Sequence, residues 1–589
     1  MSNWVVSAKK ADFQHIAEKF GIDPVIARII RNRDVCTEEE IETYLHGGIE
    51  ALHDPHEMKG MDEASKIILE EIQKGTKIRI IGDYDVDGIC STYILVKGLQ
   101  SLGAIVDAEI PHRMKDGYGL NERLIREASE AGIGLIVTCD NGIAAKDQIA
   151  LAKELGMRVV VTDHHEVPFE EKDGEKLYLM PEAEAVVDPK QPGETYPFSG
   201  ICGAVVAWKL LQILGVKQDI IDLLMEPAAV ATVCDVMDLL DENRALVKLG
   251  IERLKESGHA GIRALMEVTG LDKEKLSVYH LGFVLGPCMN ATGRLDSAKT
   301  ALSLWQTEDR GEAVRLANEL KEMNESRKEM TEYGKNTAIA MIEEQAAKTG
   351  KLDDVLVVYL PDCHESIAGI IAGRLKEKYH HPAIVLTKAE EGVKGSGRSI
   401  EAYHMFEKLT EAKEFLTKFG GHKLAAGLSL KEENVAALRD FLNAHAGLCK
   451  EDFEPKVVID VPMPLSYISE NLIQQLTLLE PFGNGNPKPV FAQKDVEVLS
   501  LKIIGKNRNV VKGTVRTDAG KTMELMYFGD IPQFQRYLDH KGIDGARVLE
   551  GTKPNGPCRI TMTYYPQISE FRGNRTMQVI MTNFINKNE

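Results

Sequence analysis

The chain has no run of about 18 uninterrupted apolar residues, so nothing in it reads as a membrane-spanning helix. Its first stretch, MSNWVVSAKKADFQHIAEKF, lacks the basic segment, apolar core and small-residue cleavage site of a secretory signal. Cysteines are few: nine, odd in number, scattered and without any C-x-x-C. That excludes a disulfide framework and structural zinc, and it points to reduced thiols in a cytosol. Cys90, Cys139 and Cys234 lie beside acidic motifs and are expected to be small apolar packing residues rather than catalysts. Internal repeats and low-complexity segments are missing too. Positive charge is in deficit, with 71 Lys plus Arg against 90 Asp plus Glu, a net of −19. Taken as an average, this argues against a polyanionic partner.

The average hides an asymmetry. Residues 501–589 hold seven Lys and seven Arg against eight acidic residues, a local balance of +6, which leaves −25 for the first 500. A basic piece at the end of an acidic body is the pattern of an appended binding module. At 589 residues, with 43% hydrophobic and 27% charged residues, the chain is a soluble globular type too long for a single core, and about three or four domains are expected.

From residue 77 to about 165, short apolar runs alternate with helical patterns. KIRIIGDYD, AIVDAEIP, GLIVTCDNG and RVVVTDHH read as strands, and 144-AAKDQIALAKELG-156 reads as a helix ending on Gly. This spacing predicts βαβ units and a parallel sheet. Three apolar runs end in acidic or imidazole groups: Asp83, Asp85 and Asp87; Asp140; and Asp163, His164 and His165. In an open parallel sheet such ends converge on one crevice. Residues 311–346 have the amphipathic, proline-free pattern of a long helix, a semi-rigid spacer between domains. A second α/β unit follows, with strands at 355–360 and 383–387 around a helix at 366–379. Beyond the turn-rich 480-EPFGNGNPKPVF-491, short β-like runs (VEVLSLKII, VVKGTVRT, TMELMYF, RITMTYYP, TMQVIMTNF) are spaced as in a small barrel.

The stretch 82-GDYDVDGI-89 starts like a calcium loop but is not one. The bidentate Glu that would complete the oxygen cage is replaced by Ile94, and the preceding 78-IRII-81 reads as a buried strand, not a helix. With 230-VATVCDVMDL-239 supplying Asp235 and Asp238, the set becomes carboxylates from several segments plus one or two imidazoles. Oxygen donors with few imidazoles and no thiolates suit Mn²⁺ or Mg²⁺ better than zinc. So many carboxylates can hold two ions about 3.5–4 Å apart, the arrangement that activates a water and stabilises a leaving oxygen in phosphoester hydrolysis. The residues alone support metal-assisted phosphoester hydrolysis and no narrower reading.

These motifs carry a resemblance. DYDVDG (83–88), CDNG (139–142), TDHH (162–165) and VCDVMD (233–238) resemble the successive motifs of the DHH phosphoesterase superfamily. The strings 46-HGGIEALHDPHEMKGMDEA-64, 111-PHRMKDGYGL-120 and 292-TGRLDSA-298 are similar to its single-strand-specific 5′→3′ exonucleases. In the second half, 395-GSGRS-399 and 420-GGHKLAAG-427 resemble the GGH signature of the DHH-associated domain, and 480–491 resembles the entry to an OB domain. The resemblance implies that Asp85, Asp87, Asp140, His164 and Asp235 ligate the metals, with Asp140 and Asp235 bridging and Asp83 either a ligand or its first support. Asp163 would orient an imidazole, and His165 would meet the scissile phosphate or the leaving oxygen, so the catalytic set is His165, Asp163 and Asp140. Where the family pattern has Pro, this chain has Asp238, expected in a solvated or capping role. Arg113, Arg294, Ser396, Arg398, Gly421 and His422 are the candidates for holding phosphate.

The expected architecture is α/β: a parallel-sheet DHH domain with an N-terminal extension over 1–310, a connecting helix over 311–350, a smaller α/β DHH-associated domain over 351–447 and an all-β OB-type barrel over 448–589. In the last, Lys506, Arg508, Lys512, Arg516, Arg572 and Arg575 interleave with Tyr527, Phe528, Tyr564, Tyr565 and Phe571. That mixture suits a single strand, although several of the aromatics must fill the core. The resemblance implies an exonuclease that degrades single-stranded DNA from the 5′ end to mononucleotides with two Mn²⁺ or Mg²⁺ ions. It would act in the cytoplasm in DNA repair and recombination, as a monomer, with a helicase and a single-strand-binding protein as partners and no membrane. Two other readings are a phosphodiesterase for short oligonucleotides or cyclic dinucleotides, and a non-catalytic replication scaffold, which would have lost ligands.

Overall fold

The computed structural model describes residues 3–585 except 114, 118, 173, 296, 555 and 572, with the backbone alone at 571 and 574. The chain forms two compact units, Gly48–Phe453 and a second made of Met1–Gly47 with Glu454–Glu589.

In the first unit, five parallel strands run in the order Ile105–Glu109, Lys77–Ile81, Leu135–Cys139, Arg158–Thr162, Ala185–Val187. All five residues of Leu135–Cys139 are buried, as a strand covered on both faces requires. Lys77–Ile81 has its successor in sequence on one side and Leu135–Cys139 on the other. The order therefore reverses between these two strands, and a crevice opens at their carboxyl ends, where Asp83 and Asp140 begin. The helix Val86–Ser101 is apolar almost all round and is buried beneath Gly203–Ile213 and Gln218–Cys234.

A 40-residue helix, Arg310–Thr349, leaves this core and packs on Glu365–Tyr379. It leads to a mixed sheet in the order Leu416–Gly421, Ala425–Leu430, Val393–Arg398, Ala383–Lys388, Leu356–Tyr359, parallel only between the last two. No helix among the described residues is long and apolar enough to cross a membrane.

In the second unit, Phe491–Ile504 pairs with both Val510–Arg516 and Cys558–Phe571 and so closes a barrel. Sequence reading groups residues 1–47 with the DHH domain; the structure places them with this barrel instead. Asn3–Val6 pairs in parallel with Lys456–Ile459, and Ile26, Ile29, Ile30 and Leu45 share the barrel's core. A buried ion pair, Arg33 Nη1 to Asp460 Oδ1 at 2.6 Å, fixes the attachment. Such long-range packing leaves no local signature. Of the aromatics, Tyr527, Tyr564 and Tyr565 are buried in the barrel and Phe528 is exposed. Arg508, Lys512, Arg516 and Arg575 pair with Glu550, Glu524, Glu497 and Glu570, while Lys506 is exposed. Arg572 and the side chain of Phe571 lie outside the described residues.

One buried ion pair braces the helix Gly203–Ile213 against Asp241–Lys255. Lys209 Nζ lies 2.8 Å from Glu242 Oε2, Tyr196 Oη donates to the other carboxylate oxygen at 2.5 Å, and Lys209 also donates to the His53 carbonyl. Removing one partner strands a buried charge. Glu242→Ala should lower stability by about 3–5 kcal/mol, read by urea unfolding followed through Trp208 and Trp305; an unchanged midpoint would refute the brace.

Candidate metal centre and phosphate cavity

Asp85 caps the helix Val86–Ser101, its Oδ1 accepting from the amides of Asp87 and Gly88. Thus one of the three alternating aspartates does have a structural task, and the cap turns Asp87 inward. Both Asp87 oxygens accept backbone N–H groups from the start of the helix Gly203–Ile213, Gly203 at 2.7 Å and Ala204 at 2.8 Å. Unpaired amides at a helix N-terminus favour a carboxylate there. A Cβ at Gly203 would lie 2.8 Å from Asp140 Cβ, so a glycine is needed. Sequence reading missed this pair; its signal is the glycine that opens an apolar helix after Cys202.

Asp140 has φ 58°, a left-handed turn that Asp tolerates and that aims its carboxylate back over the sheet. Asn141 holds the turn, donating to the carbonyls of Ile81 and Cys139. Asp163 is saturated by the amides of Ile143, His164 and His165 and by His165 Nδ1 at 2.7 Å. It is therefore occupied as an orienting group. Asp188, also missed from sequence, is buried near Asp163, and burial with that neighbour raises its carboxyl to about 7. Asp238 is exposed, its backbone carbonyl taken by Asn243 Nδ2.

Three groups of donor atoms each fall within 4.8 Å: Asp83, Asp85 and Asp140; Asp87, His164 and Asp235; and Asp140, His164 and His165. Asp140 joins the first group to the third. His164 Nε2 faces Asp140 Oδ1 at 3.1 Å, Asp87 Oδ2 at 3.4 Å and Asp235 Oδ2 at 3.7 Å, while its buried Nδ1 has no partner among the described residues. Burial, then mutual repulsion, raises the carboxyls of Asp83 and Asp235 to about 8, that of Asp85 upward and that of Asp140 well above the ordinary range. Burial lowers His164. It also opposes protonation of His165, yet the hydrogen bond to Asp163 lifts that imidazole to about 9. Buried thiols at Cys90, Cys139 and Cys234 are pushed up and stay protonated. Crowded oxygens that resist ionising together, with one imidazole and no thiolate, fit hard divalent cations.

Beside this centre the Arg113 guanidinium lies 4.9 Å from the centroid of the Tyr84 ring. Arg113 also lines a cavity of about 460 Å³ with Ser366, Lys394, Ser396, Lys418 and Gly420. Arg294 Nη1 donates to the Ser366 carbonyl at 2.7 Å and Arg398 Nη1 to that of Gly397 at 2.8 Å. Burial, then Arg113, Arg327 and Arg398, depress Arg294 to about 10; burial and Arg113 lower Arg398. Gly420 lines the cavity, and Gly421, the last residue of the strand Leu416–Gly421, and His422 are exposed beside it. Ser366, Lys394 and Lys418 are additions that only the tertiary structure supplies.

Family models match in chain order: the DHH family N-terminal domain over residues 77–233, the DHHA1 domain over 352–447 and the RecJ OB domain over 459–583. The single-stranded-DNA-specific exonuclease RecJ of Bacillus subtilis (strain 168) is 36% identical over 98% of this chain and 70% of its own length. The chain belongs to the RecJ family. The Escherichia coli (strain K12) RecJ is 32% identical over 95% of this chain and 96% of its own length. A crystal structure of RecJ in complex with Mn²⁺ from Thermus thermophilus matches with a TM-score of 0.80 at 26% identity, over 99% of this chain and 79% of that one. The Mg²⁺ complex from the same source shares the fold, with a TM-score of 0.73 at 24% identity, over 99% and 78% of the two chains. RecJ relatives are thus recorded with the two cations that this donor set suits.

Asp140→Asn separates charge from backbone, because Asn also tolerates the left-handed turn. Without metal the variant should unfold at or above the wild-type temperature, having lost one of the converging charges. Mn²⁺ should raise the wild-type midpoint and leave the variant's in place; equal stabilisation of both would remove Asp140 from the metal centre.

Proposed function

We propose that the protein is a metal-dependent exonuclease that degrades single-stranded DNA from its 5′ end to mononucleotides, in DNA repair and recombination. One observation carries this reading: the acidic groups and the basic cavity adjoin through a single residue pair, with Tyr84 between Asp83 and Asp85 and Arg113 over its ring and in the cavity wall. A phosphate held by arginines is thereby set against the carboxylates, as hydrolysis of a chain end needs. The substrate class follows the names of the RecJ relatives, and the 5′ polarity follows the resemblance carried by the motifs.

Asp83, Asp85 and Asp140 would hold one Mn²⁺ or Mg²⁺, and Asp87, His164 and Asp235, with Asp140 shared, the second. When bound, such ions lower the pKa of a coordinated water and neutralise charge on phosphoryl oxygens. The chain's own groups do the rest. Asp163 fixes His165 through Nδ1, leaving Nε2 to donate a proton to the phosphate or the leaving oxygen. Arg113, Arg294, Arg398 and Ser396 bind the non-bridging oxygens, and a buried cluster of guanidiniums favours a terminal phosphate, with its extra charge, over an internal diester. Lys394 and Lys418 extend the positive wall. No nucleophilic side chain is required.

Nine free thiols, Cys36 included, suit the cytoplasm. One chain carries the metal centre, the cavity and the barrel, and it acts as a monomer; a helicase and a single-strand-binding protein would deliver unpaired substrate.

The deciding assay uses a thirty-nucleotide strand labelled at either end, with Mn²⁺, single-stranded or as blunt duplex. Immediate mononucleotide release from the 5′ label, a shrinking ladder from the 3′ label and an inert duplex are expected. Hydrolysis of a dinucleotide with the strand left intact would overturn the substrate assignment while keeping the metal chemistry. Arg294→Ala should lower kcat/KM on the single strand by roughly 10²-fold, and a loss under two-fold would remove Arg294 from phosphate binding.

A further inference from the structure

Directly after Asp235 the chain turns at Val236, a β-branched residue at φ 57° that is 65% exposed. Such a residue in the left-handed region is strained and marks a place the surrounding structure fixes. What lies against this turn is a helical segment with a π turn, Leu281–Leu285, between Val278–His280 and Gly286–Leu295. Cys234 Sγ donates to the Leu281 carbonyl at 3.6 Å. A Cβ at Gly286 would stand 2.4 Å from Cys234 Sγ, and one at Gly282 would stand 3.4 Å from Val233 Cγ1. Glycine at 286 is therefore needed for the segment to seat itself on Cys234, while Gly282 faces Val233 at ordinary contact distance.

Its other face is turned to solvent. Tyr279 and Phe283, four residues apart, are 62% and 63% exposed, and their rings stack with centroids 5.2 Å apart and planes 22° from parallel. Two large aromatic rings held flat against each other in water are not core, and a contiguous exposed patch of this kind marks a contact surface. The same segment ends at Arg294, whose guanidinium reaches the cavity's Ser366. One helical segment thus packs on the residues that precede Asp235, exposes an aromatic face on its other side and carries a phosphate-binding cation near its end.

We propose that Tyr279 and Phe283 form a stacking platform for unpaired bases of the strand being hydrolysed. The inference rests on the nuclease reading and assigns the grip on bases, which neither the carboxylates nor the arginines supply. Aromatic stacking accepts any base, as a sequence-indifferent nuclease requires. It also selects for single strands at the reaction centre itself, because a base stacked and paired in a duplex cannot lie on these rings.

The test compares wild type, Tyr279→Ala, Phe283→Ala and Phe283→Trp on single-stranded DNA carrying one abasic residue, scanned through the first several nucleotides from the cleaved end. On the fully based strand the alanine variants should raise KM about 5- to 50-fold with kcat within two-fold, while Phe283→Trp keeps the wild-type KM. In the wild type, one or two abasic positions should raise KM by a similar factor, and in Phe283→Ala that penalty should vanish. Thermal unfolding checks that the exposed substitutions leave the fold intact. An unchanged KM in both alanine variants, or an abasic profile identical in variant and wild type, overturns the platform and leaves the patch to a protein partner. A wild type that does not degrade the parent strand overturns the nuclease reading as well, so the two failures are distinct.

Discussion

Burial of like charges is the constraint on which the rest of this structure depends. Asp83, Asp85, Asp140 and Asp235 are held where burial and their neighbours push every carboxyl upward. No arrangement of these groups is stable by virtue of their own interactions; a scaffold has to impose it. The parallel sheet does so because its strand order reverses between Lys77–Ile81 and Leu135–Cys139, so two loops leave the same edge in different directions and their first residues face each other. The buried helix Val86–Ser101 and the amides of Gly203 and Ala204 then fix Asp87. Each device acts against a repulsion that divalent cations would remove.

The cationic side repeats the logic with opposite sign. Arg294 and Arg398 are depressed by burial and by other arginines, and the bonds they make run to the carbonyls of Ser366 and Gly397, which carry no net charge. The ion pairs of Asp87, Asp140 and Asp235 run to His164 and His165. Two self-repelling clusters thus stand side by side, and among the described residues no salt bridge joins Arg294 or Arg398 to the clustered carboxylates. On the proposed reading, a metal-bound phosphate would complete the alternation of carboxylate, cation, phosphate and guanidinium.

How far this was legible in the sequence depends on how local each cause is. The alternating Asp83, Asp85 and Asp87, the strand-end Asp140 and the Asp163-His164-His165 run are local, because each follows an apolar strand whose carboxyl end must lie at the sheet's edge. The helix Arg310–Thr349 was legible too, from an unbroken amphipathic repeat. Gly203 and Ala204 were not, since their role arises only when a helix N-terminus arrives at Asp87 from more than a hundred residues away. Ser366 and Lys394 depend in the same way on how the second sheet faces the first. The GGH string led to Gly421 and His422, which are exposed, and only the tertiary structure shows that Gly420 beside them lines the cavity. Residues 1–47 have ordinary amphipathic helices whose apolar faces give no hint that their partner is a barrel some four hundred residues later.

The position of the aromatic face bears on selectivity. Exclusion of duplex by size alone would give an unpaired strand no reason to stay. Tyr279 and Phe283 sit on the segment that Cys234 anchors, and as a stacking platform they would hold the bases of a strand whose phosphate lies at Asp235. The segment also carries Arg294, and its glycines at 286 and 293 each face a neighbour that a side chain would strike: Cys234 Sγ and the Tyr84 carbonyl. The spacing between ring face, metal centre and phosphate cavity is consequently set by close backbone approach rather than by flexible side chains. An enzyme that accepts every base must take its precision from the sugar-phosphate chain, and close backbone packing is the means by which a fold holds that register.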